Sequence, residues 1–436
     1  MKIDDILELK IEKLGINGEG ISFNERKTIF VDNAIPGEIV SVKIIDIKDK
    51  LIYAKLLKII KESPFRVKPF CKYYDRCGGC QIQHIDYCKG LDYKRDILLE
   101  SLKRYSGLNY HTFEIRKMIE SNKDHYRNKS QLPYNKKNNN LCLYQKDSNK
   151  LIDIDKCPIQ NEIINTVNNE ILKVINKYNL NEYINYVVSR VVYNNEVQVT
   201  LIINKDLDLS YISKDILNIE NVKSFYTDYN KDGIFNNKLK YISGKKVLTD
   251  KLENIKYNLL PNSFFQLNPN QAINLYNIVK KVAKLSNTEI ILDAFCGVGS
   301  ISLWLAKNCL KVVGIDNNKE AIINANENKK LNKINNVEFI CGDVSTVINT
   351  NYKDTKFDII VCDPPRVGLQ NFVYDILKIK PKRFIYVSCN PSTLAKDLKI
   401  LSSLYKVNLI TPVDMFPQTS HVETVALLTL NPSVKK

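Results

Sequence analysis

The stretch IILDAFCGVGS, residues 290–300, decides the fold. Its short apolar run reads as a buried strand, and Gly297 and Gly299 follow at once, so the strand is predicted to enter a loop whose backbone approaches a ligand. Outward from it, apolar strand alternates with amphipathic helix. The candidate strands are KVVGID (311–316), VEFICGD (337–343), FDIIVCDPP (357–365) and RFIYVSC (383–389), separated by helical stretches such as ISLWLAKNCL (301–310) and NKEAIINANENKKLN (318–332). That alternation predicts an α/β unit over residues 261–436 with a doubly wound parallel sheet. KVNLIT (406–411) and ETVALLTL (423–430), joined through PVDMFPQTSHV, read as a closing β-hairpin.

Two further regions precede this unit, as a chain of 436 residues requires. Residues 1–62 alternate apolar and polar positions in short runs broken by Gly15, Gly18, Gly20 and the Pro36-Gly37 turn, the pattern of a small antiparallel barrel. Residues 63–260 are mixed, with a cysteine cluster, a helix near 86–106, β-patterned runs such as VVSRVVYNNEVQVTLII (187–203) and a hairpin tip at KKNNN (136–140). The N-terminal residues lack an apolar leader core and no stretch approaches the roughly 18 apolar residues of a bilayer span, so a cytoplasmic, soluble protein is expected, without a membrane. The formal charge of +16 suits a polyanionic partner, although a Lys-rich composition explains part of it. A monomer with no protein partner is expected.

The Gly297-Val-Gly299 loop suits a nucleoside ligand. Ser302 stands where a dinucleotide fingerprint has its third glycine, and Asp316, at the end of the next strand, is placed for ribose hydroxyls, which favours S-adenosylmethionine over NAD. Asp363-Pro-Pro-Arg366 lacks the aromatic residue that enzymes methylating exocyclic amines place after Pro-Pro. Cys389, in Ser-Cys-Asn-Pro, ends the fifth strand at the rim of the sheet. A thiolate there can add to C6 of a uracil and make C5 nucleophilic, after which a base must remove the C5 proton. Glu423, opening the last strand, is the candidate base. Cys71, Cys77 and Cys80 form a tight set, with Cys157 a distant fourth thiol. With 11 cysteines and only 4 histidines, any metal site is thiolate-ligated; the single close pair favours an iron-sulfur cluster over zinc.

The ordered set of motifs resembles the bacterial RNA (uracil-5-)-methyltransferases, particularly the 23S ribosomal RNA branch. It comprises Cys-x5-Cys-Gly-Gly-Cys, Tyr126-Arg-Asn-Lys129, Asp155-Lys-Cys-Pro-Ile-Gln160, Ser263-Phe-Phe-Gln266, Asp293-Ala-Phe-Cys-Gly-Val-Gly299, Asp-Pro-Pro-Arg, Ser-Cys-Asn-Pro and His421-Val-Glu423. The resemblance implies a Rossmann-like class I methyltransferase domain behind an N-terminal, OB-like TRAM barrel and a central domain carrying a 4Fe-4S cluster on Cys71, Cys77, Cys80 and Cys157. It further implies an S-adenosylmethionine pocket lined by Gln266, Phe295, Asp316 and Asp363, with Cys389 as nucleophile and Glu423 as base. The implied substrate is 23S rRNA, since the transfer-RNA branch generally lacks barrel and cluster. Cys142, where the family often has Gly, departs from the pattern. The same chemistry on tRNA, a cytosine-C5 enzyme and a non-catalytic iron-sulfur RNA-binding protein remain as alternatives.

Overall fold

The computed structural model describes residues 1–24, 27–231, 233–235 and 238–432. The first sheet has six strands between Ile6 and Lys61. Period-two alternation turns Val40, Val42, Ile44, Ile52 and Ala54 inward onto Ile29 and Val31, and sends their neighbours outward. The alternation predicted antiparallel pairing throughout. One pair differs: Lys27–Val31 runs parallel to Leu51–Lys61, because the hairpin of Ile39–Lys48 and Leu51–Lys61 presents its second strand to it.

A seven-stranded sheet follows, its first member Lys129–Asn135 turning through KKNNN into Asn140–Tyr144. The helix Glu162–Lys177 lays Ile164, Val167, Ile171, Val174 and Ile175 on this sheet, a spacing of three and four residues that keeps them on one face.

The third large sheet has eight strands. Val337–Cys341, Lys311–Asp316, Ile290–Ala294, Ile359–Cys362 and Arg383–Ser388 lie side by side in parallel; Glu423–Leu430 enters antiparallel, then Tyr405–Val413, with Glu114–Ile115 at the edge. Runs such as Ile359–Cys362 are buried throughout because helices cover both faces. Two elements from earlier in the chain complete its core. The helix Tyr87–Tyr105 packs Ile97, Leu98 and Leu102 with Leu394 and Leu398, and the hairpin Leu248–Leu259 contributes Leu252, Tyr257 and Leu259 to the opposite face. Each fully buried Leu or Ile contributes about 1.5–3 kcal/mol by leaving water, which fixes these elements to the sheet. Among the described residues, no helix is long and apolar enough to cross a membrane.

Candidate active site

Strand register brings the candidate residues to one edge. Ala294 pairs with both Ile315 and Cys362, so Phe295, Asp316 and Asp363 leave three adjacent strands at the same level. Ser388 pairs antiparallel with Thr424, which sets Cys389 opposite Glu423, and the Thr424 hydroxyl donates to Ser388 O at 3.1 Å. The glycine loop works through backbone shape. Gly299 has φ +82°, and a Cβ there would stand 2.5 Å from Phe339 Cζ; Phe295 itself is held at φ +64°. Asp316 accepts from Gly297 N at 2.9 Å and Asn318 N at 2.8 Å, which fixes its carboxylate at the strand end.

Gln266 arrives from a separate loop, and the structure explains how. Asn128 N donates to Leu267 O (2.9 Å), Lys129 Nζ to Pro261 O (2.9 Å) and Arg190 Nη2 to Ser263 O (2.5 Å), while Tyr126 OH donates to Pro417 O (3.0 Å). Tyr126-Arg-Asn-Lys129 thus clamps the loop bearing Gln266 and touches the one leading to Glu423. Burial, reinforced by Arg190 and Arg127, pulls the Lys129 ammonium down to about 6, so this lysine serves as a buried donor.

The electrostatics favour a cationic ligand. Burial pushes Asp363 and Asp293 up to about 7, the latter also facing Asp363 and Asp316 while a 2.5 Å hydrogen bond from Ser302 Oγ works the other way. Glu423 is raised well above the usual carboxylate range by burial and by Asp363, against the pull of Arg366. Crowded carboxyls of this kind ionise most readily beside positive charge, as a sulfonium and an ammonium supply. Cys389 is partly buried and its thiol is pushed up to about 11 by burial, Glu423 and Asp363, with Arg366 opposing. Burial, Arg366 and Lys94 hold His421 down at about 4, so its ring is neutral and Nδ1 accepts from Arg366 Nη2 at 3.3 Å. Cys389, Arg366 and His421 open into a cavity of about 750 Å³ whose far wall is the first sheet.

The tRNA (uracil-5-)-methyltransferase family model matches residues 86–431, and the TRAM domain model matches residues 4–57. The chain belongs to the uracil-5-methyltransferase family. It is 38% identical over 450 residues to an RNA methyltransferase of Bacillus anthracis, covering 99% of this chain and 98% of that protein. A relative in Clostridium acetobutylicum, also described as an RNA methyltransferase, is 35% identical over 98% of both chains. The crystal structure of Pyrococcus abyssi tRNA (uracil-54, C5)-methyltransferase with S-adenosyl-L-homocysteine superposes with a TM-score of 0.78 at 29% identity, over 97% of this chain and 100% of that one. The protein is therefore an S-adenosylmethionine-dependent RNA methyltransferase with an N-terminal TRAM domain.

The methyltransferase has a second cavity, of about 550 Å³, lined by Cys71, Cys77, Cys80 and Cys157. Lys72 Nζ (2.8 Å) and Tyr73 OH (2.6 Å) bind Asp155, and the Asn165 side chain brackets Cys157 N and O at 2.9 and 3.1 Å. Burial pushes Cys80 up to about 12 and Cys157 to about 11. All four are free cysteines. Among the described residues, however, no group of three or more His, Cys, Asp and Glu side chains is arranged to hold a metal ion. Two further cysteines of the same region lie elsewhere: Cys142 is buried with Sγ donating to Asp153 Oδ1 at 3.0 Å, and Cys88 is exposed on a helix. Sequence reasoning missed the role of His421, although it stands two residues before Glu423. It also missed the contribution of the TRAM sheet to the Cys389 cavity, which no local motif signals.

Proposed function

We propose that this methyltransferase places a methyl group on C5 of a uridine in 23S rRNA, with Cys389 as nucleophile and Glu423 as base. The observation that carries the reading is the pairing of Ser388 with Thr424, which sets a thiol against a buried carboxyl at the rim of the cofactor loop. Cys389 Sγ adds to C6, and the C5=C6 electron pair moves into an enolate. S-adenosylmethionine supplies the electrophilic methyl, and Gln266, Phe295, Asp316 and Asp363 are proposed to hold it. Glu423 then takes the C5 proton as the Sγ–C6 bond breaks. Arg366 is the cationic neighbour that favours the thiolate. Because a stacked uracil offers no free face at C6, the target is flipped from its strand, at a cost of a few kcal/mol that a loop or bulge reduces.

Cys71, Cys77, Cys80 and Cys157 are proposed to hold a 4Fe-4S cluster, with residues 1–62 and 63–260 as the RNA-binding regions of a cytoplasmic monomer. Four partly buried, unpaired thiols around one cavity fit this donor set. When bound, the cluster ties the Cys71–Cys80 loop to Cys157.

A transfer-RNA uridine is the second reading. It is favoured by the near-complete superposition on the Pyrococcus abyssi tRNA enzyme, since a full-length match to a tRNA enzyme means that the barrel does not separate the two substrates. The test is incubation of anaerobically purified protein with methyl-labelled S-adenosylmethionine and either unmodified 23S rRNA or unmodified tRNA, followed by nucleoside mass spectrometry. Labelled 5-methyluridine from rRNA alone is expected. The same product from tRNA alone selects the second reading, and labelled 5-methylcytidine overturns the uridine assignment.

A further inference from the structure

The cavity that holds Cys389 does not end at the catalytic sheet. Its far wall is the outer face of the TRAM sheet, where Phe30 and Tyr53 both line it. They are direct partners across the parallel strand pair, with ring centroids 5.4 Å apart and planes 23° from parallel. The sheet's own core lies on the opposite face and is filled by Ile29, Val31 and Ile52. Tyr53 remains 36% exposed and its neighbour Ile45 54% exposed, so among the described residues this apolar surface is only partly covered. Four acidic groups line the cavity: Asp32 pairs with Lys146 at 2.8 Å, Asp46 pairs with Lys48 at 3.3 Å, Glu19 accepts from Asn17 N at 2.9 Å, and Asp147 stands beside Lys146; the Lys48 ammonium sits 5.6 Å over the Tyr53 ring. An anionic strand thus meets no uncompensated charge from Asp32 and Asp46. At about 750 Å³ the cavity lies high in the range for drug-sized ligands, more room than one pyrimidine at Cys389 fills.

We propose that Phe30 and Tyr53 form a stacking platform for a nucleobase of the substrate RNA neighbouring the uridine presented to Cys389. The inference rests on the uridine reading of that cysteine. Flipping one nucleotide out leaves its neighbour without a stacking partner, and an aromatic face replaces that partner for any base. The occupant is RNA because the surface is continuous with the site where this RNA methyltransferase acts, and because the chain carries a net charge of +16. The barrel then sets which length of strand lies against the catalytic sheet and shapes substrate choice as well as affinity.

The test uses two readouts on the full-length protein. Binding of fluorescein-labelled decauridylate, followed by anisotropy, needs no catalysis. Tyr53→Ala should weaken it about tenfold, Tyr53→Phe should stay near the parent, and Ile6→Ala, an exposed apolar residue on another strand of the same sheet, should change nothing. In the second, 5-fluorouridine-substituted 23S rRNA and tRNA transcripts are trapped on the enzyme, irradiated at short wavelength and digested for mass spectrometry. A nucleotide adjacent to the one on Cys389, cross-linked to Phe30 or Tyr53, is the expected result. A Cys389 adduct with no cross-link to either ring and unchanged decauridylate binding by Tyr53→Ala overturns the platform while leaving the uridine chemistry intact. No adduct from the parent enzyme overturns the uridine reading and with it the placement of the platform beside the target.

Discussion

The two cavities of this methyltransferase are built in opposite ways. Around Cys389, each candidate group except Gln266 stands at the end of a strand whose ladder fixes it: Phe295, Asp316, Asp363, Cys389 and Glu423 follow from register alone. Around Cys71, Cys77, Cys80 and Cys157, the groups sit on irregular segments joined by side-chain contacts such as Lys72 to Asp155. A site on strand ends is shaped before its ligand arrives, whereas one between loops owes more of its shape to what it binds. The difference teaches that loss of one side chain should affect chemistry in the first cavity and folding in the second.

Three outcomes break or sharpen that contrast. The largest is Cys389→Ala, expected to lower methylation at least ~10⁴-fold and abolish 5-fluorouridine trapping while leaving the melting temperature within about 2 °C. A large drop in melting temperature would show that the strand-end site is structurally coupled after all. Next comes Asp414→Ala, where the helix Tyr87–Tyr105 meets the segment that follows Tyr405–Val413. Asp414 accepts from Lys94 Nζ at 2.5 Å, both side chains are 1% exposed, and Tyr87 OH adds a bond at 2.8 Å. Stranding Lys94 without its partner should cost about 3–5 kcal/mol in chemical denaturation; Lys94 is already held below its usual value by burial. A loss under about 1 kcal/mol would mean that the contact relaxes and the pair does not hold this helix to the sheet.

The smallest effect concerns Arg366. With the Cys389 thiol at about 11, its thiolate fraction, and hence iodoacetamide alkylation, should rise about tenfold per pH unit from 7 to 10 and level off near 11. Arg366 opposes the upward shift, so Arg366→Ala moves the curve to higher pH and slows alkylation several-fold at pH 8. A curve unmoved by the substitution removes Arg366 as the thiolate's cationic neighbour.

The sequence was most informative where function sits on periodic structure. The alternation after residue 261 reveals which strand ends share an edge, and hence why Asp363, Cys389 and Glu423 were nameable without coordinates. Where contacts cross between regions it was silent. Alternation in KTIFV and LIYAK says that Phe30 and Tyr53 face outward, not that Cys389 lies opposite. Tyr126-Arg-Asn-Lys129 was visible as a motif, but its work as a clamp depends on carbonyls of residues 261–267 and 417. The helix Tyr87–Tyr105 was legible, but its burial against Leu394 and Leu398 was not, because amphipathicity names a face and never the partner that covers it.

The position of Glu423–Leu430 inside its sheet, between Arg383–Ser388 and Tyr405–Val413, constrains how the enzyme comes into being. The strand bearing the proposed base is made after its neighbours and becomes an interior member, so Tyr405–Val413 cannot join the sheet until Glu423–Leu430 lies between it and Arg383–Ser388. That hairpin docks as a unit, and its long-range pairing places it among the slower events of folding. On the ribosome, closure of the sheet therefore comes at one late moment, and a nascent or truncated chain can form the Gly297–Gly299 loop without yet bringing Glu423 opposite Cys389.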